Sequence, residues 1–528
     1  MKSPVRFRAH ADAALFAALV VLAVVPLFVG RYLPFFDYPA HLAVPAALRH
    51  RGDPATGVAR LWQVDLRLAP NCLHYAFTYL LSFVMPLEAA SRLFVALFCV
   101  AALPVATTFA LRAFGRDWRL AFLVVPLAWN RCLWYGFIGF CAALPLSLVL
   151  IALVARDLEA PSRRREIGIG LCAALLPFVH FFVMVVSLVL AATVAAVNAR
   201  RLPVARLARA LAPLAAGPAL MLPWFVAGLR GGPQPPEGPT AHLFASRPRL
   251  IDYASVLRHW FMDGYFGRVD ELLAITMIAT LAAVLVHARR APPVGPTPAL
   301  APAGARNAPF ALAGVLVVIY LALPFEIRAP FNWWGMNVRV IPLLFVWLVV
   351  GAPPGGLDRL GRALLIPVGA ATAAFLIYVS VDVARTFNGP WGMAGIDDVL
   401  AKLPPGARVS GLYTDYRQPP HYAHYPFHYA TSYAVVRGAA LGAPFIPIPQ
   451  AWTNPRVVPP YPFAGDAALF DAGRHARGYT HFLVRTCTGA GCVPDPLEGK
   501  PEFSRVAESG RWRLYACAAA PCGTAMVE

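Results

Sequence analysis

Charged side chains are scarce in this chain. Asp, Glu, Lys and Arg together make up 14% of its 528 residues, whereas 59% of the residues are hydrophobic. Soluble globular domains carry about 25% charged residues. The shortage therefore excludes a soluble protein of this length and indicates a polytopic membrane protein.

Acidic residues are fewer than basic ones. The chain has 27 Asp and Glu against 46 Lys and Arg, which gives a net charge of +19. Such an excess can indicate a nucleic-acid ligand, but here the arginines cluster between apolar runs. That distribution is typical of the cytoplasmic loops that orient a membrane protein. We therefore expect the lipid bilayer, and no nucleic acid, as a partner.

Eleven apolar runs approach the roughly 20 residues that a spanning helix needs. The stretch 167–199 could form one long helix, but both of its ends are basic, so a tight pair of short helices is favoured. The predicted spans cover residues 13–30, 91–113, 120–136, 138–156, 167–182, 184–199, 211–229, 272–288, 308–325, 338–352 and 363–382.

The arginine distribution also predicts the orientation of these spans. Lys2, Arg6 and Arg8 hold the N-terminus inside, and eleven spans then leave the C-terminus outside. The first run lacks a small-residue cleavage site before Arg31, so we expect it to remain as an anchor. We predict an integral protein of the bacterial inner (plasma) membrane, with a cytoplasmic N-terminus.

The spans leave three long segments outside, and the last of them differs in composition from the rest. It loses the long apolar runs and gains short strand-like pieces. We therefore predict a mainly α fold, a polytopic membrane helical bundle over residues 1–385 with outside loops 31–90 and 230–271. A small extracytoplasmic α/β domain follows over residues 386–528.

Four of the nine cysteines lie in this C-terminal segment, as "CTGAGC" (Cys487, Cys492) and "CAAAPC" (Cys517, Cys522). Paired cysteines in a compact extracytoplasmic domain usually form disulfides, and four cysteines allow three connectivities. A zinc site built from two C-x4-C knuckles is the alternative. It is disfavoured because the usual knuckle spacing is tighter.

The stretch "YLPFFDYPAHLA" (32–43) follows the first apolar run and places Asp37 among aromatic residues and prolines. Asp37 could cap a helix whose first turn contains Pro39. A Ser or Asn would cap equally well, however, and a carboxylate at the membrane surface is partly desolvated. Acids in such places are candidate functional residues.

Residues 69–116 combine a Pro-containing turn, an amphipathic helix, an "A-x-R-L" entry to the second span and a closing "R-x-F-G". This order resembles the opening of the GT-C-type membrane glycosyltransferases, the superfamily of protein mannosyltransferases and aminoarabinose transferases. Similar enzymes have many spans and often a soluble outside C-terminal domain. The residues that carry the resemblance are Pro70, Tyr75, Tyr79, Ala90, Arg92, Leu93, Phe114 and Gly115.

The resemblance implies an activity. Similar enzymes pass a sugar from a polyprenyl-phosphate carrier to an acceptor, here a glycan, lipid or protein, at the outer face of the membrane. Asp37 would be the general base that deprotonates the acceptor hydroxyl, because a partly desolvated carboxylate can accept a proton near neutral pH. If the protein resembles the metal-dependent members, Asp37 would instead hold a divalent ion. A divalent metal cofactor is therefore one of two alternatives.

The phosphate leaving group is negatively charged, so positively charged side chains are expected to bind it. Arg339, in "NWWGMNVRV", begins a late span at the outer surface, where an arginine of similar enzymes commonly contacts the lipid phosphate. The alternative is an interfacial anchor that snorkels. The loop 242–271 would form either a lid over the phosphate or an amphipathic surface helix. The candidate substrate-binding residues are His41, His74, Tyr75, Arg258, His259 and Arg339.

Histidines are concentrated in "YTDYRQPPHYAHYPFHYATSY" (413–433). His421, His424 and His428 have the composition of a metal cluster, but no cysteine or acid is spaced to complete the ligand set. A structural loop is the favoured interpretation.

Two features depart from the resembling family. The first loop carries a lone Asp where the protein O-mannosyltransferase branch carries adjacent acids, and the second outside turn (134–145) has no acid. A non-catalytic membrane protein, either a transporter or an envelope-assembly factor, is therefore the alternative. Transport predicts internal repeats and paired charges within spans, and the sequence shows neither.

Overall fold

The structure is a computed structural model that groups the chain into two compact units. One unit comprises residues 1–25, 95–133 and 138–377, and the other comprises 26–94, 134–137 and 378–528. The described residues are 4–66, 69–231, 241–242, 250–262, 269–290, 303–327, 333–416, 422, 425–443, 453–455, 465–518 and 522.

Seven helices within the described residues are long and apolar enough to cross a membrane. Two shorter apolar helices, Ala308–Ala322 and Val338–Val350, accompany them. The chain is thus an integral membrane protein with a mainly helical fold, as predicted, whereas the count of eleven spans is not confirmed. The seven candidate spans are His10–Leu27, Leu87–Ala113, Ile138–Glu159, Arg163–Asn198, Val204–Ala227, Val269–Arg290 and Arg359–Phe387.

The prediction of a spanning helix over residues 120–136 is wrong. The chain forms short turns there, the 3-10 helices Trp118–Leu123 and Pro126–Trp129, followed by the single helical turn Arg131–Trp134. Asn130 interrupts the run with an extended backbone, and its side-chain oxygen accepts the Cys132 N–H at 2.9 Å. The run is apolar because its side chains are buried inside the protein, which composition alone cannot distinguish from burial in lipid.

The prediction of two short helices over residues 167–199 is confirmed. The element Arg163–Asn198 is broken at His180, whose backbone is extended. Both of its ends meet the same end of helix Ile138–Glu159. Arg165 there donates to the Ala160 carbonyl, and Val194 lines a cavity with Leu158. The tip at His180 meets the other end of that helix, where its ring lies 5.5 Å from the Phe140 ring.

Shorter elements complete this first unit. A three-stranded antiparallel sheet is formed by Ala241–His242, Glu326–Ile327 and Trp333–Trp334, in that order. The further helices of the unit are Pro4–Val24, Ala102–Ala113, Val204–Leu211, Ala216–Gly231, Leu250–Met262, Ala303–Ala322, Ile341–Val350, Arg359–Ala363 and Ile366–Asp382.

The second unit is built on a five-stranded mixed sheet. Its core is the parallel pair Arg408–Tyr413 and His481–Arg485, flanked by Leu441–Ala443 on one side. The antiparallel strands Trp512–Cys517 and Phe503–Ser509 extend the other side. The α/β character of the C-terminal segment follows the sequence prediction, whereas the proposed boundary at residue 385 stays a prediction.

Residues 26–94 belong to this second unit. Their strand Trp62–Val64 pairs antiparallel with Thr453–Pro455 of the C-terminal segment. Thr453 donates its hydroxyl to the Val44 carbonyl at 2.9 Å, which ties the same strand to helix Tyr38–His50. The helices of the unit are Tyr38–His50, Val58–Leu61, Leu73–Leu81, Leu87–Phe94, Ile396–Leu400, Ser432–Val436 and Ala472–His475.

The four C-terminal cysteines form two pairs at disulfide distance, consistent with the predicted disulfides. Cys487 pairs with Cys492 and Cys517 with Cys522, with Cα atoms 5.8 and 5.9 Å apart. Cys487 follows Arg485, which lies opposite Trp512, whereas Cys517 ends the strand beyond Trp512. The pairs therefore lie at opposite ends of the sheet, a separation that rules out one zinc ion shared by both knuckles.

A buried ion pair joins the sheet to residues outside its strands. The Arg485 side chain is fully buried and donates to Asp415 and, at 2.5 Å, to the Trp391 carbonyl. Tyr425 donates its hydroxyl to the same Asp415 carboxylate at 2.5 Å, and the guanidinium lies 4.0 Å from the Phe427 ring centroid. Removing one partner of such a pair leaves an uncompensated buried charge.

We expect Asp415→Asn to lower the free energy of unfolding by ~3–5 kcal/mol, because it breaks a buried pair. Arg505→Gln is the matched control, since the Arg505–Glu508 pair is exposed and such pairs contribute about 1 kcal/mol or less. Chemical unfolding of the purified protein in detergent, followed by tryptophan fluorescence, would measure both changes. Equal losses in the two variants would contradict the assignment.

Candidate functional site

Asp37 occupies the N-cap position of helix Tyr38–His50 without capping it. Its backbone is helical, and its side chain makes no capping hydrogen bond. Pro39 stands in the first turn, where its missing N–H costs nothing. The interpretation of the Asp37 side chain as a helix cap is therefore wrong, and the carboxylate is half-buried.

The turn after Leu133 fixes the position of Asp37. The N–H groups of Phe36 and Asp37 donate to the carbonyls of Trp134 and Tyr135 at 2.9 and 3.0 Å. Gly136 packs against this pair with a φ of +84°, and a Cβ there would lie 2.9 Å from the Asp37 nitrogen. Only glycine fits such a conformation and approach without strain.

The charge of Asp37 acts on two tyrosines, and one of these tyrosines contacts an imidazole. Burial raises the pKa of both Tyr75 and Tyr429, and the negative charge of Asp37 raises each further. The Tyr75 hydroxyl lies 2.8 Å from Nδ1 of His41, whose ring also bonds to the Gly136 carbonyl. Burial lowers the pKa of His41 to about 4. At neutral pH the two phenols are thus protonated, and the imidazole bonded to Tyr75 is neutral.

Half-buried aromatic rings extend from this carboxylate. The Phe36 ring stacks on His428 with centroids 5.2 Å apart, and it meets Tyr429 edge-on at 5.3 Å. Tyr135 and Phe137 stack on one another at 5.6 Å. Flat apolar faces beside a carboxylate can pack against the C–H face of a sugar while the carboxylate binds a hydroxyl.

The structure places the predicted binding residues of the first loop at different depths. His41 is half-buried, whereas His74 and Tyr75 are each only 3% exposed. His74 lies 2.9 Å from the Ser91 hydroxyl through Nε2, and burial lowers its pKa well below the usual value. His41 and Tyr75 are therefore close to Asp37, while His74 lies behind them in the core.

Arg339 lies in the first compact unit, in a cluster of cationic and aromatic side chains. Its Nη1 is 3.0 Å from Nε2 of His180, and its Nη2 donates to the Trp334 carbonyl at 2.9 Å. The guanidinium also lies 5.9 Å from the Phe140 ring centroid. These contacts hold the arginine in one orientation, which a mobile interfacial anchor would not require.

A second arginine stands in the same cluster. Arg131 donates to the His259 carbonyl at 3.2 Å, and its guanidinium lies 5.2 Å from the Trp260 ring centroid. Trp260 in turn packs against Trp334, with centroids 5.7 Å apart. Two guanidinium groups in one cluster favour an anionic ligand such as a phosphate.

An apolar groove of about 620 Å³ begins beside this cluster. Arg258 and His259 line one edge, and Arg258 forms an exposed ion pair with Glu271 there. The remaining walls come from helices Leu250–Met262, Val269–Arg290 and Ile341–Val350 and are almost entirely apolar. The groove can hold a hydrocarbon chain whose polar end lies at the arginines.

Sequence analysis missed several of these residues. Arg131 interrupts the apolar run 120–136, and a lone arginine inside a supposed span was the available signal. Gly136 and Tyr429 had no signal, because only the fold brings them near Asp37. His428 stood out only by composition, as one of the histidines of the segment 413–433. His421 and His424, considered above with His428, lie outside the described residues.

The divalent ion left open by the resemblance does not fit the groups described around Asp37. The groups described near it are tyrosines and a histidine, whereas hard divalent cations prefer carboxylate and carbonyl oxygens. Within the part of the chain that the structure describes, no group of three or more His, Cys, Asp and Glu side chains lies close enough to hold an ion.

The fold of this chain is similar to the folds of two proteins of known structure. The chain is similar to the arabinofuranosyltransferase AftD from mycobacteria, with a TM-score of 0.54 and 15% identity. The match covers 97% of this chain but only 40% of the AftD chain.

The chain is also similar to ArnT from Cupriavidus metallidurans, whose crystal structure contains undecaprenyl phosphate. Here the TM-score is 0.51, the identity 16%, and the match covers 97% of this chain and 98% of ArnT. No protein-family model and no curated protein matches the sequence. At such low identity the similarity establishes the fold, and it confirms the resemblance that residues 30–116 indicated.

We expect the stability of the protein to fall as the pH is lowered from about 6.5 to 4. Burial lowers the pKa of both His41 and His428 to about 4, so the unfolded chain binds more protons in this window. Thermal unfolding midpoints at pH 7.5, 6.5, 5.5 and 4.5 would measure the slope. A variant with both His41→Gln and His428→Gln should show a shallower slope.

The control for this comparison is His10→Gln, which removes an exposed histidine. It should leave the slope unchanged. A double variant as steep as the wild type would mean that these two imidazoles do not titrate differently on folding.

Proposed function

We propose that the protein transfers a sugar from a polyprenyl-phosphate-linked donor to an acceptor hydroxyl, with Asp37 as the general base. The observation that carries the proposal is the position of Asp37. Its carboxylate makes no cap, yet two backbone hydrogen bonds and a close-packed glycine hold it near two tyrosines. The fold shared with AftD and ArnT supports the same activity.

The transfer is a single displacement. The acceptor oxygen attacks the anomeric carbon while its proton passes to the Asp37 carboxylate. The bond between that carbon and the phosphate oxygen breaks, and the electron pair leaves with the lipid phosphate. One base is sufficient because the leaving group is already a stable anion, so the configuration at the anomeric carbon is inverted.

Arg339 and Arg131 are the proposed ligands of the donor phosphate. Guanidinium groups match phosphate oxygens in two-point contacts. Arg339 is oriented by His180 and the Trp334 carbonyl. The apolar groove edged by Arg258 and His259 takes the polyprenyl chain, as the bound undecaprenyl phosphate of ArnT suggests.

The donor and the acceptor lie at the outer face in this proposal. The arginines between the spans favour a cytoplasmic N-terminus, as positive charges do in short inside loops. Residues 386–528 then form an extracytoplasmic domain of an inner-membrane protein. The oxidised cysteine pairs agree with that side, since disulfides persist in oxidising compartments.

Asp37→Asn should lower the transfer rate by about a hundredfold or more, since positioned general bases contribute on that order. The fold should survive, because the side chain makes no cap. The assay is transfer to a glycan or lipid acceptor by purified protein from a panel of undecaprenyl-phosphate-linked pentoses and hexoses. Asp53→Asn is the matched control, because Asp53 lies in the same loop and caps a short helix.

Wild-type transfer rates in folded Asp37→Asn would contradict the role of the base. A wild-type protein that binds undecaprenyl phosphate but transfers no sugar of the panel would instead favour the non-catalytic alternative.

Arg339→Ala should weaken binding of undecaprenyl phosphate by about tenfold or more, because a hydrogen bond to a charged group contributes about 1.5–3 kcal/mol. Arg339→Lys should restore binding only partly, since the two-point geometry is lost. Titration of the lipid into purified protein, followed by tryptophan fluorescence, would measure both affinities.

Arg209→Ala, which removes an exposed arginine paired with Glu166, is the control. Equal affinity of Arg339→Ala and the wild type for undecaprenyl phosphate would indicate that Arg339 is an interfacial anchor.

A further inference from the structure

A second cavity with arginines lies in the first compact unit, at the far end of helix Ile138–Glu159. It measures about 230 Å³. Its walls come from the end of this helix, from the end of the hairpin 163–198 and from the loop and helix that follow. The lining residues are Phe114, Ala155, Leu158, Glu159, Val194, Asn198, Arg201, Leu202 and Arg206.

This cavity and the Arg339 cluster lie at opposite ends of the same helix. Phe140, near the start of the helix, contacts both His180 and Arg339. Leu158, near its end, lines the cavity. An α-helix rises 1.5 Å per residue, so the two positions are about 27 Å apart. That distance is close to the roughly 30 Å thickness of the hydrocarbon core, so the two sites belong to opposite membrane surfaces.

The cavity has one polar wall and one apolar wall. Asn198, Arg201 and Arg206 form the polar wall, whereas Phe114, Leu158 and Val194 are among the residues of the apolar wall. Such an amphipathic lining fits a molecule with an anionic head and a hydrocarbon chain. A soluble anion would leave the apolar wall without a partner.

Arg206, on the polar wall, has a buried donor that lacks an acceptor among the described residues. Its Nη2 donates to the Glu159 carbonyl at 2.5 Å. Its Nε is buried and has no hydrogen-bond partner among the described residues. A buried donor left without an acceptor is unfavourable, so an oxygen atom of a bound molecule is the expected partner.

The surrounding charge is positive. Two guanidinium groups line the cavity against the single carboxylate of Glu159. The nearby Glu166 is already paired with Arg209 at 2.6 Å. Basic pockets between membrane helices are known to bind anionic lipid headgroups.

We propose that this cavity binds an anionic phospholipid of the leaflet opposite the Arg339 cluster. The headgroup phosphate lies between Arg201 and Arg206 and accepts the Nε–H of Arg206, while an acyl chain packs along Phe114, Leu158 and Val194. This site does not depend on the proposed transfer reaction, because it lies at the other surface of the membrane. The bound lipid holds the hairpin against the preceding helix.

Native mass spectrometry of the delipidated full-length protein tests the site. The protein in neutral detergent would be titrated separately with phosphatidylglycerol, with phosphatidylcholine and with inorganic phosphate. We expect one tightly bound phosphatidylglycerol, at least tenfold weaker binding of phosphatidylcholine, and no competition by inorganic phosphate at equal concentration. The variant with both Arg201→Gln and Arg206→Gln should bind phosphatidylglycerol about tenfold more weakly.

Arg209→Gln is the control for the loss of one positive charge on this surface, since Arg209 lies on the helix of Arg206 but does not line the cavity. It should leave the affinity unchanged. Arg201→Gln alone keeps the test valid if the double variant unfolds, because Arg201 is exposed. Equal affinity in all variants, or equal affinity for both lipids, would overturn the proposal. Displacement of the lipid by inorganic phosphate would show a free-anion site instead.

Discussion

The position of Asp37 depends on the attachment of residues 30–37 to the C-terminal segment. Tyr32 and Asn388 exchange two hydrogen bonds, from the Tyr32 N–H at 2.8 Å and to the Tyr32 carbonyl at 3.0 Å. Asp397 accepts from the Tyr32 hydroxyl at 2.7 Å and pairs with Arg31 and Arg437. These contacts lead the chain toward the turn at Tyr135, whose backbone carbonyls then fix the position of Asp37.

The five-stranded sheet gives this attachment its rigidity. The buried Arg485–Asp415 pair and the rings of Trp391 and Phe427 fix the segments that lie on the sheet. One of those segments carries His428 and Tyr429 to the Phe36 ring. A sheet that lies far from Asp37 in sequence therefore shapes the environment of the candidate base, and the C-terminal segment is part of the site.

In the other unit, two clusters of arginines lie at opposite ends of helix Ile138–Glu159. Each cluster combines arginines with an apolar wall, the chemistry that an amphiphile requires. At one end Arg339 is oriented by His180 at the break of the hairpin, and at the other Arg206 lies where the hairpin ends. The hairpin thus contributes to both clusters.

The sequence by itself determined the class of protein, because scarcity of charge and long apolar runs require a membrane and an arginine bias predicts its orientation. It also singled out Asp37 and Arg339, since polar groups beside apolar runs are costly without a role. Only the tertiary structure decided that residues 120–136 form buried turns, because burial in protein and in lipid select the same residues. Likewise, only the tertiary structure brings Gly136 and Tyr429 near Asp37. Contacts between residues so distant in the sequence leave no pattern in any short stretch of it.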